Sequence, residues 1–561
     1  MSNEFYPWLS SYPENIPWDC SMPARPLFDL PDEAARKYPN VTAIDFLGAK
    51  TTYAELAASV ERFAASLQAI GVGEGVRVGL FMPNCPQFVI SYYAILKAGG
   101  TVVNYNPLYS VPEITHQIND SSTSIMITLA LEALYPKVAA CLGRTALQRI
   151  IVSRFDEVLS PFKALAFRFL RRKDIARIPQ DEHHLSFRAM TVPGGAPLRP
   201  ISIQPERHIA VLQYTGGTTG VPKGAVLTHA NIYANTVQCG MWFTGLRHGE
   251  EIIVGALPLF HVFAMTTVMN LSLHTGSTML LHPRFVLENI LRDVHRKRPT
   301  LMPGVPTMFA AINNFPNIGK YDLSSLKMCI SGGGPLPLEV KEVFEGRTGC
   351  KLVEGYGLSE ASPVAAANPL FGVNKPGSIG LPFPATVMKI TDLQEPGKDL
   401  PPNTVGELCV RGPQVMQGYL NQPEESGKVL RDGFLHTGDL AYMDADGYFF
   451  VVDRLKEMII SGGYKIYPRN LEEILYQHPD ILEAAVIGVH HPQRVQEPKV
   501  FIVMKEGRTL TEEALRSHLK DKVSAYAMPH LFEFRTTLPK SAIGKILKKI
   551  LIEEEKTKQK K

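Results

Sequence analysis

Along residues 43 to 355, short apolar runs alternate with longer segments in which apolar positions recur about every 3.6 residues. The runs include "VRVGLFM" from Val76, "SIMITLA" from Ser124, "RIIVS" from Arg149, "IAVLQY" from Ile209, "EIIVGALP" from Glu251, "STMLLH" from Ser277 and "LKMCISGGG" from Leu326. Between them, segments such as "PQFVISYYAILKAGG" and "FVLENILRDVHRKRP" have helical spacing and end at Gly or Pro. The alternation predicts an α/β fold, and a helix is also expected from Thr228.

Between about 376 and 453 the texture changes. Gly and Pro punctuate short strand-like pieces ("KPGSIGLPFPA", "GELCVRGPQVMQGYL", "DGYFFVVD"), which predicts a small antiparallel module. A boundary is placed at Arg454 to Lys456, giving a large first domain over 1–453 and a second over 454–561. The second reads as α+β: helix "NLEEILYQH", strands "EAAVIGV" and "EPKVFIVMKEG", helix "TEEALRSHLKDKV", then "LFEFRTTLP". The charged end, "KKILIEEEKTKQKK", reads as a frayed tail.

Charge and cysteines narrow the function classes. A formal net charge of +4 over 561 residues, without basic clustering apart from the tail, implies no nucleic-acid partner. Seven widely spaced cysteines with no C-x-x-C pair suggest neither a disulfide framework nor a zinc cluster, and a reducing cytoplasm is expected. No export signal is read at the start, and no apolar stretch reaches the length of a membrane span.

The chemistry concentrates in polar, glycine-rich stretches at the ends of expected strands. In "YTGGTTGVPKG", Gly216, Gly217 and Gly220 let backbone N–H groups converge on an anion, Thr215, Thr218 and Thr219 add hydroxyls, and Lys223 adds a fixed charge. Gly224 follows the lysine where a Walker-type loop has Ser or Thr, so that class is disfavoured. Similar texture recurs in "PLFHVF" at Pro258, "SGGGPL" at Ser331, "EGYGLSE" at Glu354, "HTGD" at His436 and "PKSAIGK" at Pro539.

In the order and spacing of these motifs, nearly the whole chain resembles the adenylate-forming superfamily of acyl-CoA synthetases, firefly luciferases and nonribosomal-peptide adenylation domains. Within it the chain is most similar to bacterial long-chain fatty-acid–CoA ligases. The resemblance implies a large domain of stacked α/β sheets with the antiparallel module, and a small mobile α+β domain pivoting near Lys456. It implies ATP and CoA as co-substrates, a fatty acid as acyl donor, and Mg²⁺ held by Thr218 and Glu360. Thr215 to Gly220 and Lys223 would cradle the β- and γ-phosphates. Gly332, Gly333, Gly334, Glu354, Gly355, Tyr356 and Gly357 would form the adenine side, with Ser359 offering a hydroxyl to phosphate. Asp439 and Arg454 would hold the ribose. His261 would lie beside the acyl-adenylate; amino-acid-activating members carry Phe-Asp where this chain has Phe260-His261, so an amino-acid substrate is disfavoured. Lys545 would face the α-phosphate, and Gly462, Gly463, Tyr464 and Lys465 would turn inward for the CoA step.

Alternatives remain open: a medium-chain or aryl acid–CoA ligase, an acyl-AMP ligase loading an acyl carrier protein, or a non-catalytic nucleotide-binding regulator. Oligomeric state is open too, a homodimer being one option. "SPFKALAFRFLRRK", Ser160 to Lys173, has Ser and Pro at a helix start and places Phe162, Leu165, Ala166 and Phe169 on one face, with Lys163, Arg171, Arg172 and Lys173 flanking. Either it rests peripherally on an anionic membrane surface or it packs on its own domain, since Phe167 and Arg168 spoil a clean division of faces.

Overall fold

In the computed structural model each of the seven apolar runs becomes a strand. They are Arg77–Phe81, Ile125–Leu129, Arg149–Ser153, Ile209–Thr215, Ile252–Gly255, Thr278–Leu281 and Met328–Ser331. The structure describes residues 6–559 apart from 216–221, 396, 462–463, 492, 521 and 542–543. The strands fall into two sheets, of eight and nine strands, whose central neighbours run parallel. Parallel strands need covered faces, which is why these runs are apolar throughout instead of alternating. Helices such as Pro86–Lys97 and Leu287–Lys297 supply the cover.

Other strands of these sheets were not named from the sequence, among them Thr42–Phe46, Thr101–Asn104, Leu301–Gly304, Lys351–Gly357 and Lys223–Thr228. Lys223–Thr228 returns antiparallel to Ile209–Thr215, with Thr215 opposite Lys223. The helix expected from Thr228 follows as His229–Trp242. Thr228 caps it, its hydroxyl accepting from Asn231 N at 3.1 Å while its own N–H donates to Asn231 Oδ1 at 3.0 Å.

The antiparallel module is a sheet of Val387–Thr391, Gly406–Arg411, Phe434–Met443, Leu430–Arg431 and Phe449–Arg454. One continuous apolar core runs from Trp8 to Phe449. Two separate smaller clusters, drawn from residues between Ile459 and Leu551, flank a five-stranded sheet farther along the chain. The charged end is not frayed over Lys548–Gln559, which is helical. Leu551 is fully buried against Ala485, Val489 and Phe501, and Lys548 bonds to Glu472 at 2.8 Å and Glu457 at 3.1 Å. A buried leucine and a paired lysine anchor a segment whose composition alone reads as solvated.

Pro161–Leu170 is a helix with no buried residue. Phe167 and Arg168 form its docking side, Phe167 against the ring of Phe155 at 5.3 Å and Arg168 paired with the buried Asp156, while Lys163 Nζ donates to Leu47 O at 2.6 Å. Phe162, Leu165, Phe169 and Leu170 turn to solvent. No helix among the described residues is long and apolar enough to cross a membrane. All seven cysteines are free thiols.

Candidate functional site

The strands Met328–Ser331 and Lys351–Gly357 are parallel neighbours with Ser331 opposite Glu354. Their carboxyl ends therefore deliver Gly332 to Gly334 and Gly355 to Glu360 to one edge of the sheet, where open α/β folds bind ligands. The glycines answer close approaches. A Cβ on Gly357 would stand 2.2 Å from the carbonyl oxygen of Pro363, and one on Gly332 3.0 Å from the ring of Phe263.

Next to this edge, Asp439 and Arg454 face each other across the antiparallel strands Phe434–Met443 and Phe449–Arg454. Arg454 Nε lies 3.3 Å from Asp439 Oδ1, and the Tyr356 hydroxyl donates to Asp439 Oδ2 at 2.5 Å. Burial, and then the Asp439 carboxylate, push the Tyr356 phenol well above its usual range, so it stays a donor. The turn before Asp439 is braced by Glu407, which accepts from Gly438 N at 3.2 Å and pairs with His436 Nδ1 at 2.8 Å. Glu407, Cys409 and His436 bring potential ligand atoms within 4.8 Å of one another, but Arg431 Nη2 stands 2.9 Å from that same His436 nitrogen. The guanidinium makes this an ion-pair network beneath the turn.

Lys545 reaches the same place from the far end of the chain. Its loop is held by Ser541 N donating to Lys545 O at 2.8 Å and Lys545 N donating to Ser541 Oγ at 3.2 Å. It seats against the first core, where a Cβ on Gly544 would meet Thr307 Oγ1 at 2.8 Å. Lys545 is exposed, but protein groups crowd around its ammonium. That crowding, with Arg454 adding repulsion and Glu457 and Asp439 opposing it, lowers its ammonium to about 8. His261 caps a short helix, its Nδ1 accepting from Phe263 N at 3.3 Å. Burial, and to a lesser degree the Lys545 charge, hold it down to about 4, so the imidazole is neutral.

At the start of its strand, Lys223 is ion-paired with Glu425 and its Nζ lies 5.1 Å from the centre of the Tyr419 ring. The Tyr419 hydroxyl donates to Glu360 Oε1 at 2.8 Å. Glu360 and Lys223 thus share Tyr419 as a neighbour, and a hard carboxylate there suits Mg²⁺, an ion commonly held by one or two carboxylates plus substrate phosphates. Thr215 sits at the end of its strand and Ser359 opens a short turn that carries Glu360. Gly216, Gly217, Thr218, Thr219 and Gly220, and likewise Gly462 and Gly463, lie outside the described residues.

Some expected residues sit apart. The Glu354 carboxylate is directed to Leu336 N at 3.3 Å and to Arg469 Nη2 at 3.7 Å, and burial raises its carboxyl to about 7. Lys456 is exposed in the turn that follows Arg454. Tyr464 and Lys465 are exposed on an edge strand, Tyr464 stacked on Tyr526 at 4.5 Å. Sequence reasoning missed Tyr419, Glu425 and Arg469, each of which touches a named site residue from a distant part of the chain, and Glu407, which braces the turn before Asp439.

The family models described as AMP-binding enzyme and AMP-binding enzyme C-terminal domain match residues 31–420 and 470–545. A long-chain-fatty-acid–CoA ligase of Bacillus subtilis is 45% identical over 98% of each chain, and one from Escherichia coli O6:H1 is 38% identical over 98% of each. Among solved structures, the anthranilate CoA ligase AuaEII in complex with anthranoyl-AMP matches with a TM-score of 0.84 and 26% identity, over 97% of this chain and 99% of that one.

Proposed function

The chain belongs to the AMP-binding enzyme family, and we propose that within it this protein is an ATP-dependent long-chain fatty-acid–CoA ligase. The observation that carries the reading is that the Lys545 loop packs against Thr307 of the first core, which brings its ammonium within electrostatic reach of the Asp439–Arg454 pair and of His261. In the first half-reaction a fatty carboxylate oxygen attacks the α-phosphorus of ATP; the bond to the β-phosphate oxygen breaks and pyrophosphate leaves. In the second, the CoA thiolate attacks the acyl carbonyl carbon of acyl-AMP, the carbon–oxygen bond breaks, and AMP leaves.

A carboxylate is a poor electrophile, so the protein's task is to align reactants and neutralise charge developing on phosphate. Lys545 stabilises the α-phosphate, Lys223 the β- and γ-phosphates, and Asp439 with Arg454 grips the ribose hydroxyls. Gly332 to Gly334 and Gly355 to Gly357, with Tyr356, border the adenine, and Ser359 contacts phosphate. Neutral His261 lines the acyl side without adding charge. Glu360, with Thr218, would hold Mg²⁺, which supplies further positive charge to the phosphates when bound. Residues 1–453 and 454–561 act as two domains pivoting at Lys456, so that Lys545 serves adenylation and the Gly462–Lys465 face serves thioester formation.

The test is acid-dependent pyrophosphate release, then thioester formation with CoA, across acids from C6 to C18 and aryl acids. Release without any acid preference above C12 would favour the medium-chain or aryl reading. ATP binding with no release for any acid would make the protein a nucleotide-binding regulator. The exposed Phe162 (83%), Phe169 (76%) and Leu170 (82%), beside Arg171, Arg172 and Lys173, support peripheral contact with an anionic membrane, where fatty acids partition. Phe162→Ser/Phe169→Ser should lose flotation with anionic liposomes; equal flotation of wild type with neutral ones removes the idea.

A further inference from the structure

Lys223 is enclosed by one short segment of distant sequence. The strand Gly418–Tyr419 pairs with the lysine's own strand, Tyr419 opposite Ala225, and Leu420 N donates to Gly224 O at 2.8 Å. The helix Pro423–Val429 follows at once and is tied back by Tyr419 N donating to Ser426 Oγ at 2.8 Å. This ring and helix fix where the Lys223 side chain, only 17% exposed, can lie: over the Tyr419 ring and against the Glu425 carboxylate.

We propose that Glu425 is a built-in stand-in for polyphosphate, which holds the Lys223 ammonium until Mg·ATP or pyrophosphate takes it away. The inference rests on reading Lys223 as a ligand of the ATP phosphates. An ammonium has donors only, so Glu425 and a phosphate compete for the same hydrogens. The phosphate brings several negative charges to the carboxylate's one, and Glu425 is a third exposed, so it is displaceable. It also has somewhere to go: its other oxygen, Oε1, is already 2.5 Å from Lys428 Nζ, a side chain that is 67% exposed. On ATP arrival Glu425 moves wholly to Lys428; on pyrophosphate departure it returns to Lys223. The exchange weakens phosphate binding modestly and speeds product release, while the ammonium is never left unpaired in a confined place.

Calorimetric titration of the full-length protein with Mg·ATP and, separately, Mg·pyrophosphate tests this. Glu425→Gln should lower both dissociation constants about two- to five-fold, the scale of a partly exposed ion pair that no longer has to be broken. Lys428→Met, which removes the carboxylate's second berth, should raise them by a similar factor. Glu424→Gln removes the same charge one residue away and should bind as wild type does. The Glu425→Gln effect should vanish in a Lys223→Ala background, which a general electrostatic or structural effect would not do. Unchanged or weaker binding by Glu425→Gln, checked with Glu425→Ala, overturns the proposal, as does equal tightening by Glu424→Gln. Wild-type protein that binds no Mg·ATP sinks the parent reading; wild-type binding without these differences sinks only this one.

Discussion

Raising the pH should suppress the first half-reaction while sparing the second. Lys545 must be an ammonium to stabilise charge on the α-phosphate, and its surroundings lower it to about 8. The free enzyme is then about nine-tenths protonated at Lys545 at pH 7 and about one-tenth at pH 9, so kcat/KM for acid-dependent pyrophosphate formation should fall about ten-fold over that range. Its neighbours do not blur the expectation. Arg454 and Lys548 are held above their ordinary values despite burial, by carboxylates that include Asp439 and Glu457 for the first and Glu472, Glu457 and Asp453 for the second, and stay charged. Glu457, pulled down by Lys548 and Arg454 against the effect of burial, stays ionised, and His261 stays neutral. Bound triphosphate favours the ammonium, so the fall in kcat should lie at higher pH than the fall in kcat/KM.

The second half-reaction behaves oppositely, because the CoA thiolate fraction grows with pH. Thioester formation from synthetic acyl-AMP should therefore rise or stay level between pH 7 and 9. Lys545→Ala should slow adenylation by about 10²–10³-fold, the scale of removing one preorganised donor, and leave that second step near wild type. Unfolding is not the cause of the alkaline loss through this group. With its folded pKa depressed, the unfolded chain binds more protons between about 8 and 10.4, so its contribution to stability improves as pH rises there. A flat adenylation kcat/KM from pH 7 to 9.5, or equal loss of both half-reactions in Lys545→Ala, refutes the assignment.

Glu360→Gln should shift the magnesium dependence of adenylation to higher concentration, since an amide is a poorer ligand for a hard divalent ion; superimposable titrations would count against Glu360. Lys456→Pro should keep adenylation and lose thioester formation, read by assaying the two half-reactions separately. Leu551→Ala should cost about 2–5 kcal/mol in denaturant unfolding of the terminal unit, whereas a frayed tail would lose nothing measurable. Burial raises Glu354 above its ordinary range to about 7, so the folded state binds that proton more tightly than the unfolded chain does. Its favourable contribution is present below about pH 4.5 and is lost as pH rises through 7; wild type should therefore weaken relative to Glu354→Gln between pH 5 and 8, and a pH-independent difference would refute it.

What could be read from the sequence follows from the range of the forces involved. The seven strands announce themselves because a strand buried on both faces must be apolar at every position, a constraint local to a few residues. Gly332 and Gly357 are legible for a related reason: backbone crowding at a strand end forbids a Cβ, and the forbidden atom leaves a glycine. Lys223–Thr228 escaped because "KGAVLT" is too short and too mixed to separate from the start of the following helix. The terminal helix escaped because its anchors, buried Leu551 and the ion pairs of Lys548, Glu554, Glu555 and Lys558 with residues outside the helix, are not marked by its composition. The partners of the site leave no local trace. Lys223 and Glu425 are 202 residues apart, and Tyr419 and Glu360 are 59. In each pair one member lies in a motif whose composition marks it as chemical, while a glutamate on a short exposed helix or a tyrosine beside a glycine is ordinary until the chain closes around it. Motifs thus expose the groups expected to meet a substrate; their ion-pair and hydrogen-bond partners, such as Glu425 at Lys223, become visible only in three dimensions.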